Sequence, residues 1–178
     1  MARNYISLTI FILTCSVTFG CKNGKSEHTK NNISTVNQSV KETISVSKIH
    51  KPNSITCDLD GDNSSDTVKI VQSTKNKKYG LQINFGNKTV EYLGLGKDVL
   101  GQGFDNMDWI GIFEKAPKGE IYWSNIDDNG EPITEVAKVK ETDKIKLLND
   151  GIFVHVDGAW GGGVIYLKNG KFNWIQRE

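Results

Sequence analysis

Short runs of apolar residues alternate with turn residues over most of the chain after residue 52. The runs are rich in Ile, Val, Tyr, Phe and Trp, and Gly, Asn and Asp lie between them, which is the pattern of short β-strands. A mainly β fold follows, as an antiparallel sheet, a sandwich or a small barrel, with at most a short helix. Segment 134–140 fits either a short helix or a strand. The predicted strands are 68–73, 80–85, 88–92, 109–113, 120–125, 144–148, 152–156, 164–168 and 171–176.

The last two predicted strands form a C-terminal β-hairpin. Asn169-Gly170 separates them, and this dipeptide is favoured in two-residue type I′ turns. Such a turn fixes the register, so that Ile165 lies opposite Trp174 and Leu167 lies opposite Phe172 on one face of the hairpin. We therefore expect these four apolar residues in the core.

The first 20 residues have the pattern of an export signal. Arg3 is the only charged residue before Cys21, and the stretch from Tyr5 to Phe19 is mostly apolar. This stretch has the length of a signal-peptide core and is too short for a transmembrane helix. Gly20, directly before Cys21, resembles the lipobox of bacterial lipoproteins, although Thr18 stands where that motif has an aliphatic residue.

The lipobox resemblance implies that residues 1–20 are removed and that Cys21 becomes the acylated first residue of the mature chain, with palmitate among its acyl groups. Several acyl chains on one residue anchor a protein stably, whereas one chain is marginal. The protein would then be exported and held at a membrane of the bacterial cell envelope. The alternative is ordinary cleavage, which would give a soluble exported protein.

Residues 21–52 differ in composition from the rest of the chain. Lys, Ser, Asn and Thr dominate 22–52, no aromatic residue occurs there, and six Lys against two Glu give a charge of +4. This composition predicts a flexible tether that leads to a compact β domain at 53–178. That domain carries 15 basic and 19 acidic side chains, a charge of −4, and Cys57 is its single cysteine, so no intrachain disulfide is expected.

Overall composition narrows the function classes. With 37% hydrophobic and 24% charged residues, the chain is neither a polytopic membrane protein nor wholly disordered. The formal net charge of +1 gives no reason to expect a nucleic-acid partner. The expected partners are the membrane, through the lipid anchor, and another protein.

Four aspartates crowd the segment that precedes the first predicted strand. Asp58, Asp60, Asp62 and Asp66 occupy relative positions 1, 3, 5 and 9. Two carboxylates about 4 Å apart repel by about 1 kcal/mol in water, and by more where solvent is limited, so this crowding predicts a bound cation. Hard oxygen ligands suit Ca²⁺, and Ser64 at position 7 would offer its carbonyl. An Asp-rich, solvated turn without an ion is the alternative.

The acidic segment is not an EF-hand, because Lys69 stands at position 12, where that motif needs Glu, and β-branched residues follow. The arrangement DxDxDxxxD leading into a strand instead resembles the calcium loops of FG-GAP and VCBS repeats. The resemblance covers about nine residues and the strand that follows, and its single copy does not imply a propeller. The ligands that it implies are Asp58, Asp60, Asp62, Asp66 and the carbonyl of Ser64.

Three other segments are predicted to be loops without chemistry. The glycine-rich segment 94–103 matches neither GxGxxG nor a P-loop, so we expect a long loop there. Segment 158–163, which contains Trp160, could bind an anion or display the indole, and a wide turn is the favoured interpretation. Asp127, Asn129, Glu131 and Glu135 repeat the 1, 3, 5, 9 spacing weakly, and a plain turn is predicted.

The sequence identifies no catalytic nucleophile, base or cofactor other than the structural Ca²⁺. The predicted function is a calcium-stabilised, lipid-anchored binding or interaction module of the cell envelope, and the chain is similar overall to small uncharacterised bacterial lipoproteins. One version is an immunity lipoprotein that neutralises a toxin, because an acidic domain could cover a basic enzyme surface. The alternative function is a small envelope hydrolase with a site near His155 and Asp157.

Overall fold

The computed structural model describes residues 43–177, except 125, 128, 134 and 160. Within this part of the chain, all strand pairs are antiparallel, and helix is limited to two short 3₁₀ turns, Val136–Lys138 and Glu141–Asp143. The prediction of a mainly β fold is therefore confirmed. The strands are β1 Ile44–Val46, β2 Ser54–Cys57, β3 Asp66–Ser73, β4 Tyr79–Asn84, β5 Val90–Gly94, β6 Ile112–Ala116, β7 Ile121–Tyr122, β8 Ile145–Lys146, β9 Gly151–His155, β10 Gly162–Lys168 and β11 Lys171–Arg177.

The first sheet has the order β1-β3-β4-β5, and β2 also pairs with β3. Strands β1 and β2 pair with different parts of β3, and the chain between them leaves the sheet. Ile70 of β3 binds both ends of the segment between β1 and β2. Its carbonyl accepts the N–H of Ser47 at 2.8 Å, and its own N–H donates to the Asn53 carbonyl at 2.9 Å.

The second sheet has the order β11-β10-β9-β6 and contains the predicted C-terminal hairpin. Its register is the predicted one, with Ile165 opposite Trp174 and Leu167 opposite Phe172. The turn residues Asn169-Gly170 have φ angles of 52° and 72°, in the left-handed region that a type I′ turn requires. Ile165 is fully buried, and the other three apolar residues are half-buried.

The main core lies between these two open sheets. Of the predicted alternatives, the fold is therefore the sandwich. Apolar side chains of β3 and β4 meet those of β6, β9 and β10 in one cluster. Its fully buried side chains include Leu59, Val68, Ile70, Leu81, Ile83, Val99, Met107, Phe113, Ile152, Val154 and Ile165. Burial of such a side chain contributes about 1.5–3 kcal/mol to folding.

A smaller apolar cluster occupies the other face of the second sheet. Val164, Tyr166 and Ile175 are buried there with Ala116 and Leu147. Tyr122 of β7 and Ile145 of β8 pack against this cluster, so the two-stranded sheet β7-β8 covers a face that would otherwise be exposed. The hairpin therefore contributes apolar residues to both sides of its sheet.

The packed region begins earlier than the predicted domain start at residue 53. Strand β1 lies within the segment assigned to the tether, and Ser47 and His50 are buried there. These polar side chains are accommodated because Ser47 Oγ and His50 Nδ1 are 2.6 Å apart and His50 Nε2 is 3.2 Å from the Asp108 carbonyl oxygen. The predicted signal peptide at 1–20, Cys21 and the tether up to residue 42 lie outside the described residues.

Four predicted strands are shorter or shifted toward the C-terminus, and one of them, predicted at 88–92, is β5 at Val90–Gly94. The strand predicted at 109–113 begins at Ile112, and those predicted at 120–125 and 144–148 shrink to β7 and β8. Apolar composition in 109–111 reflects side chains that pack from a loop, since Ile110 is buried there without strand pairing. Among the described residues, no helix is long and apolar enough to cross a lipid bilayer.

Candidate metal centre

The acidic segment is the loop that joins β2 to β3. Cys57 at the end of β2 pairs in register with Asp66 at the start of β3, so the loop closes on itself. Gly61 and Asn63 have φ angles of 77° and 65°. Both residue types tolerate the left-handed region, and the chain can therefore bend tightly enough to turn several carboxylates inward.

Three of the four aspartates converge in this loop. Asp58, Asp60 and Asp66 each place a carboxylate oxygen so that these atoms all lie within 4.8 Å of one another. Asp62 is not in this group, and its Oδ1 accepts the backbone N–H of Ser64 at 2.6 Å. The side chains of Asp62 and Ser64 are exposed at the rim of the loop.

Backbone hydrogen bonds hold the converging carboxylates in place. Asp66 is fully buried, and its two oxygens accept the N–H groups of Leu59 at 2.7 Å and Gly86 at 2.9 Å. Asp58 accepts the N–H groups of Gly61 at 2.8 Å and Asn63 at 3.2 Å. An ionised carboxylate has about four lone-pair positions, so each of these groups retains capacity for a cation.

The electrostatic environment of the loop disfavours further negative charge. The pKa of Asp60 is raised above its ordinary value, first by loss of solvent and then by the charges of Asp62, Asp66 and Asp58. Burial raises the pKa of the Cys57 thiol to about 12, and the neighbouring Asp66 and Asp150 carboxylates contribute. Loss of solvent is the largest cause of both shifts, and the smaller contributions of the neighbouring carboxylates reflect the negative potential of the loop.

Two residues that the sequence analysis missed support the loop from the β8–β9 connection. The Asp150 carboxylate accepts the N–H of Asp58 at 3.1 Å, and the Asp150 N–H donates to the Asp58 carbonyl at 3.0 Å. Asn149 donates to the Leu59 carbonyl at 3.2 Å. The Asn-Asp-Gly sequence at 149–151 indicates a turn, but nothing in it indicates contact with a loop some ninety residues away.

The second acidic segment forms a plain turn. Asp127 Oδ1 accepts the N–H groups of Asn129 at 2.8 Å and Glu131 at 2.9 Å, and these bonds lower the pKa of the carboxyl. The backbone closes the turn through the Asp127 N–H and the Glu131 carbonyl. Asn129, Glu131 and Glu135 are exposed, and the described part of the chain places none of them in a metal-ligating group.

The residues of the hydrolase alternative are not joined into a site. His155 stacks on Phe153 with ring centroids 5.8 Å apart, and its Nδ1 is 2.7 Å from the Val156 carbonyl oxygen. Asp157 is exposed in the turn that follows, and no described hydrogen bond links it to His155. Trp160 lies outside the described residues.

The Ser47–His50 pair has the chemical groups of a nucleophile and a base, but both residues are more than nine-tenths buried. Ser47 Oγ also accepts the N–H groups of Ile49 and His50, which is the pattern of a local turn. This pair therefore holds the chain between β1 and β2.

Among the described residues, the acidic loop with its convergent oxygen donors is the site whose chemistry is evident. Comparison of the chain with protein-family models, curated proteins and solved structures gives no match.

Proposed function

We propose that the protein is a lipid-anchored binding module of the bacterial cell envelope and that Ca²⁺ stabilises its β domain at the loop between β2 and β3. The observation that carries the calcium part is the convergence of Asp58, Asp60 and Asp66, held by backbone N–H groups and by two strands. Three carboxylates so close together lower the stability of the fold unless a cation offsets their repulsion.

The donor set favours Ca²⁺ over other divalent ions. All candidate donors are oxygens, which suits a hard cation and not Zn²⁺. Cys57 adjoins the loop, but a thiol with a pKa of about 12 stays protonated at neutral pH and is a poor metal ligand. Ca²⁺ takes six to eight oxygens in flexible geometry, whereas Mg²⁺ demands a near-ideal octahedron. Asp62 and the Ser64 carbonyl would complete the coordination after a small movement of the exposed rim.

The role of the ion is structural in this proposal. The loop ends in β2 and β3, its Asp66 binds the β4–β5 turn through Gly86, and its Asp58 binds the β8–β9 connection through Asp150. A cation among these carboxylates would therefore tie both sheets to one loop. For a dissociation constant on the order of 10⁻⁴ to 10⁻³ M, 10 mM Ca²⁺ stabilises the fold by about 1.4–2.7 kcal/mol.

Thermal unfolding of the full chain in detergent tests the calcium proposal. The midpoint should be about 4–10 °C higher in 10 mM CaCl₂ than in EDTA, and MgCl₂ should give a smaller increase. Asp60→Asn should abolish this difference. Asp98→Asn is the matched control, because Asp98 also accepts two backbone N–H groups, from Gly101 and Gly103, but lies outside the cluster. Equal midpoints of the unaltered chain in CaCl₂ and EDTA would contradict the proposal.

The anchor is tested separately, by growing cells that express the chain with an alkyne-labelled palmitate. The label should attach to the unaltered chain and to Cys15→Ser, and it should be absent from Cys21→Ser. Label that persists in Cys21→Ser, or its absence from the unaltered chain, would contradict acylation at Cys21. Neither result affects the melting experiment, so the two parts of the proposal stand or fall independently.

A further inference from the structure

A pocket of about 250 Å³ lies beside the second sheet, away from the residues of the acidic loop. Trp174 of β11 and Gly162 of β10 form part of its wall, and the chain between β5 and β6 supplies Gln102, Phe104 and Trp109. Val156, Gly161 and Gln176 complete the described lining. Three aromatic side chains from two distant parts of the chain therefore meet around one concavity.

The aromatic rings of this pocket contact one another edge to face. The ring centroid of Phe104 is 5.4 Å from that of Trp109, at an interplanar angle of 89°. It is 5.8 Å from the ring centroid of Trp174, at an interplanar angle of 71°. Edge-to-face pairs of this kind contribute about 0.5–1.5 kcal/mol each beyond the burial of their area. Phe104 thus contacts both indoles, and all three rings are partly buried against the main core while they line the pocket.

Gly163 of β10 explains how the indole of Trp174 packs on its sheet. A Cβ atom on Gly163 would collide with the Trp174 ring and lie 2.7 Å from the Ile175 carbonyl oxygen, so the ring covers bare backbone. Gly162 approaches the Val154 carbonyl too closely to carry a side chain. The indole N–H of Trp174 already donates to Gln176 Oε1 at 2.8 Å, so this ring offers the pocket its hydrocarbon surface.

The opposite wall of the pocket is anchored in the core. Val99 and Met107 flank Phe104 in sequence and are both fully buried. The Val99 N–H donates to the Phe104 carbonyl at 2.9 Å, and Asp98 accepts the N–H of Gly103 at 2.7 Å. The glycine-rich segment 94–103 is thus the predicted long loop, and it presents Gln102 and Phe104 in a fixed position. A preformed wall of this kind reduces the ordering cost of binding.

The chemistry of the lining selects a neutral ligand. No ionisable side chain is among the described residues that line the pocket, whereas Gln102 is exposed at its rim, where its Nε2 donates to the Leu100 carbonyl at 3.3 Å and its Oε1 faces solvent as an acceptor. Aromatic faces carry partial negative charge and attract C–H groups that carry partial positive charge. A pyranose ring has an apolar C–H face and hydroxyl groups around its edge, which match the aromatic surface and the amide. We propose that this pocket binds a neutral saccharide unit.

Nuclear magnetic resonance of the indole N–H groups tests the saccharide proposal on the full chain, in a detergent without a sugar headgroup. The chain has four Trp, and Trp-to-Phe variants assign their signals. Titration with glucose and with N-acetylglucosamine should shift the Trp109 and Trp174 signals in a saturable way, with a dissociation constant on the order of 1 mM. The Trp123 signal should not move, because Trp123 lies outside the pocket and contacts Arg177.

Substitutions of lining residues link the shifts to the pocket. Gln102→Ala removes one exposed amide and should weaken binding about 5-fold, the value of one hydrogen bond. Phe104→Ala should abolish saturable shifts, with folding checked by the unchanged signal of Trp123. Gln72→Ala is the matched control, since this amide donates to the Lys77 carbonyl on the first sheet, and binding should be unaltered.

Three results would overturn the saccharide proposal. The first is the absence of saturable shifts with either sugar up to about 50 mM. The second is equal binding of glucuronate, since the described lining residues include no cation and should disfavour an anion. The third is a response of Trp109 and Trp174 to a proline-rich peptide but not to sugars, which would assign the aromatic surface to a peptide partner.

Discussion

Replacing Asp66 with alanine removes the acceptor of two backbone N–H groups that hold the acidic loop. The Leu59 N–H is buried, and a hydrogen bond to a charged group is worth about 1.5–3 kcal/mol there. The Gly86 N–H is partly accessible to water, so its loss costs about 0.5–1.5 kcal/mol. Removing one charge from the cluster relieves about 1 kcal/mol of repulsion. The expected net loss in EDTA is about 1–3.5 kcal/mol, a large part of the stability of a typical domain.

Urea unfolding followed by tryptophan fluorescence measures this loss from the shift in midpoint at an unchanged slope. Asp62→Ala is the matched control, because Asp62 is exposed and accepts the Ser64 N–H at the rim, and it should cost less than about 1 kcal/mol. In 10 mM CaCl₂ the Asp66→Ala loss should grow by the lost calcium stabilisation, about 1.4–2.7 kcal/mol. A loss in EDTA no larger than that of Asp62→Ala would refute the assignment of Asp66 as the structural centre of the loop.

Further predictions follow from single groups in the structure. Gly163→Ala should lower the free energy of unfolding by more than about 2 kcal/mol, because the new Cβ atom would meet the Trp174 ring. Gly101→Ala, where a Cβ atom would lie in open space but φ is 80°, should lower it by about 1 kcal/mol, and urea unfolding compares the two variants. Cys57, buried and with its pKa raised to about 12, should react with iodoacetamide at pH 8 only in urea, as measured by mass spectrometry. Because the pKa of Asp60 is raised above 3.8, the calcium affinity should start to fall at a higher pH than it would with an ordinary aspartate. Calorimetric titrations with CaCl₂ between pH 7 and pH 4 measure this affinity, and an affinity that does not change over that range would contradict the prediction.

Around the acidic loop, the pH dependence of the calcium-free fold has two opposing contributions. The raised pKa of Asp60 means that the folded state binds its proton more tightly, so stability falls as pH rises from 3.8 through the folded pKa. Burial would raise the pKa of Asp150, but hydrogen bonds from the Lys118 and Asp58 N–H groups and the Lys115 charge together lower it. Its stabilisation is therefore complete above 3.8 and is lost as pH falls through the lower folded pKa.

The parts of the fold that the sequence predicted correctly are those that local geometry determines. The Asn169-Gly170 turn sets the hairpin register through backbone dihedral angles alone, and the structure has that register. Strand β1 was missed because three residues, Ile44–Val46, carry too short a pattern, and their strand geometry comes from pairing with β3. The strand predicted from Trp109 began too early because the apolar character of Trp109 and Ile110 serves packing from a loop.

The candidate sites also differ in how far local sequence determines them. The 1, 3, 5, 9 spacing predicts four aspartates around one ion, whereas the structure brings together carboxylate oxygens of Asp58, Asp60 and Asp66 and leaves Asp62 accepting the Ser64 N–H. The support from Asp150 depends on sheet packing and has no local signal. The aromatic pocket is likewise non-local, since Phe104 and Trp174 are brought together only when the β5–β6 loop packs beside β11.

The most direct test of the account is a crystal structure of the protein grown in millimolar CaCl₂, with anomalous differences measured to identify the ion. The account predicts one anomalous peak in the β2–β3 loop, about 2.3–2.6 Å from carboxylate oxygens of Asp58, Asp60 and Asp66. It also predicts that Asp62 and the Ser64 carbonyl turn toward that peak. Ordered crystals with water alone among these three carboxylates would contradict the account.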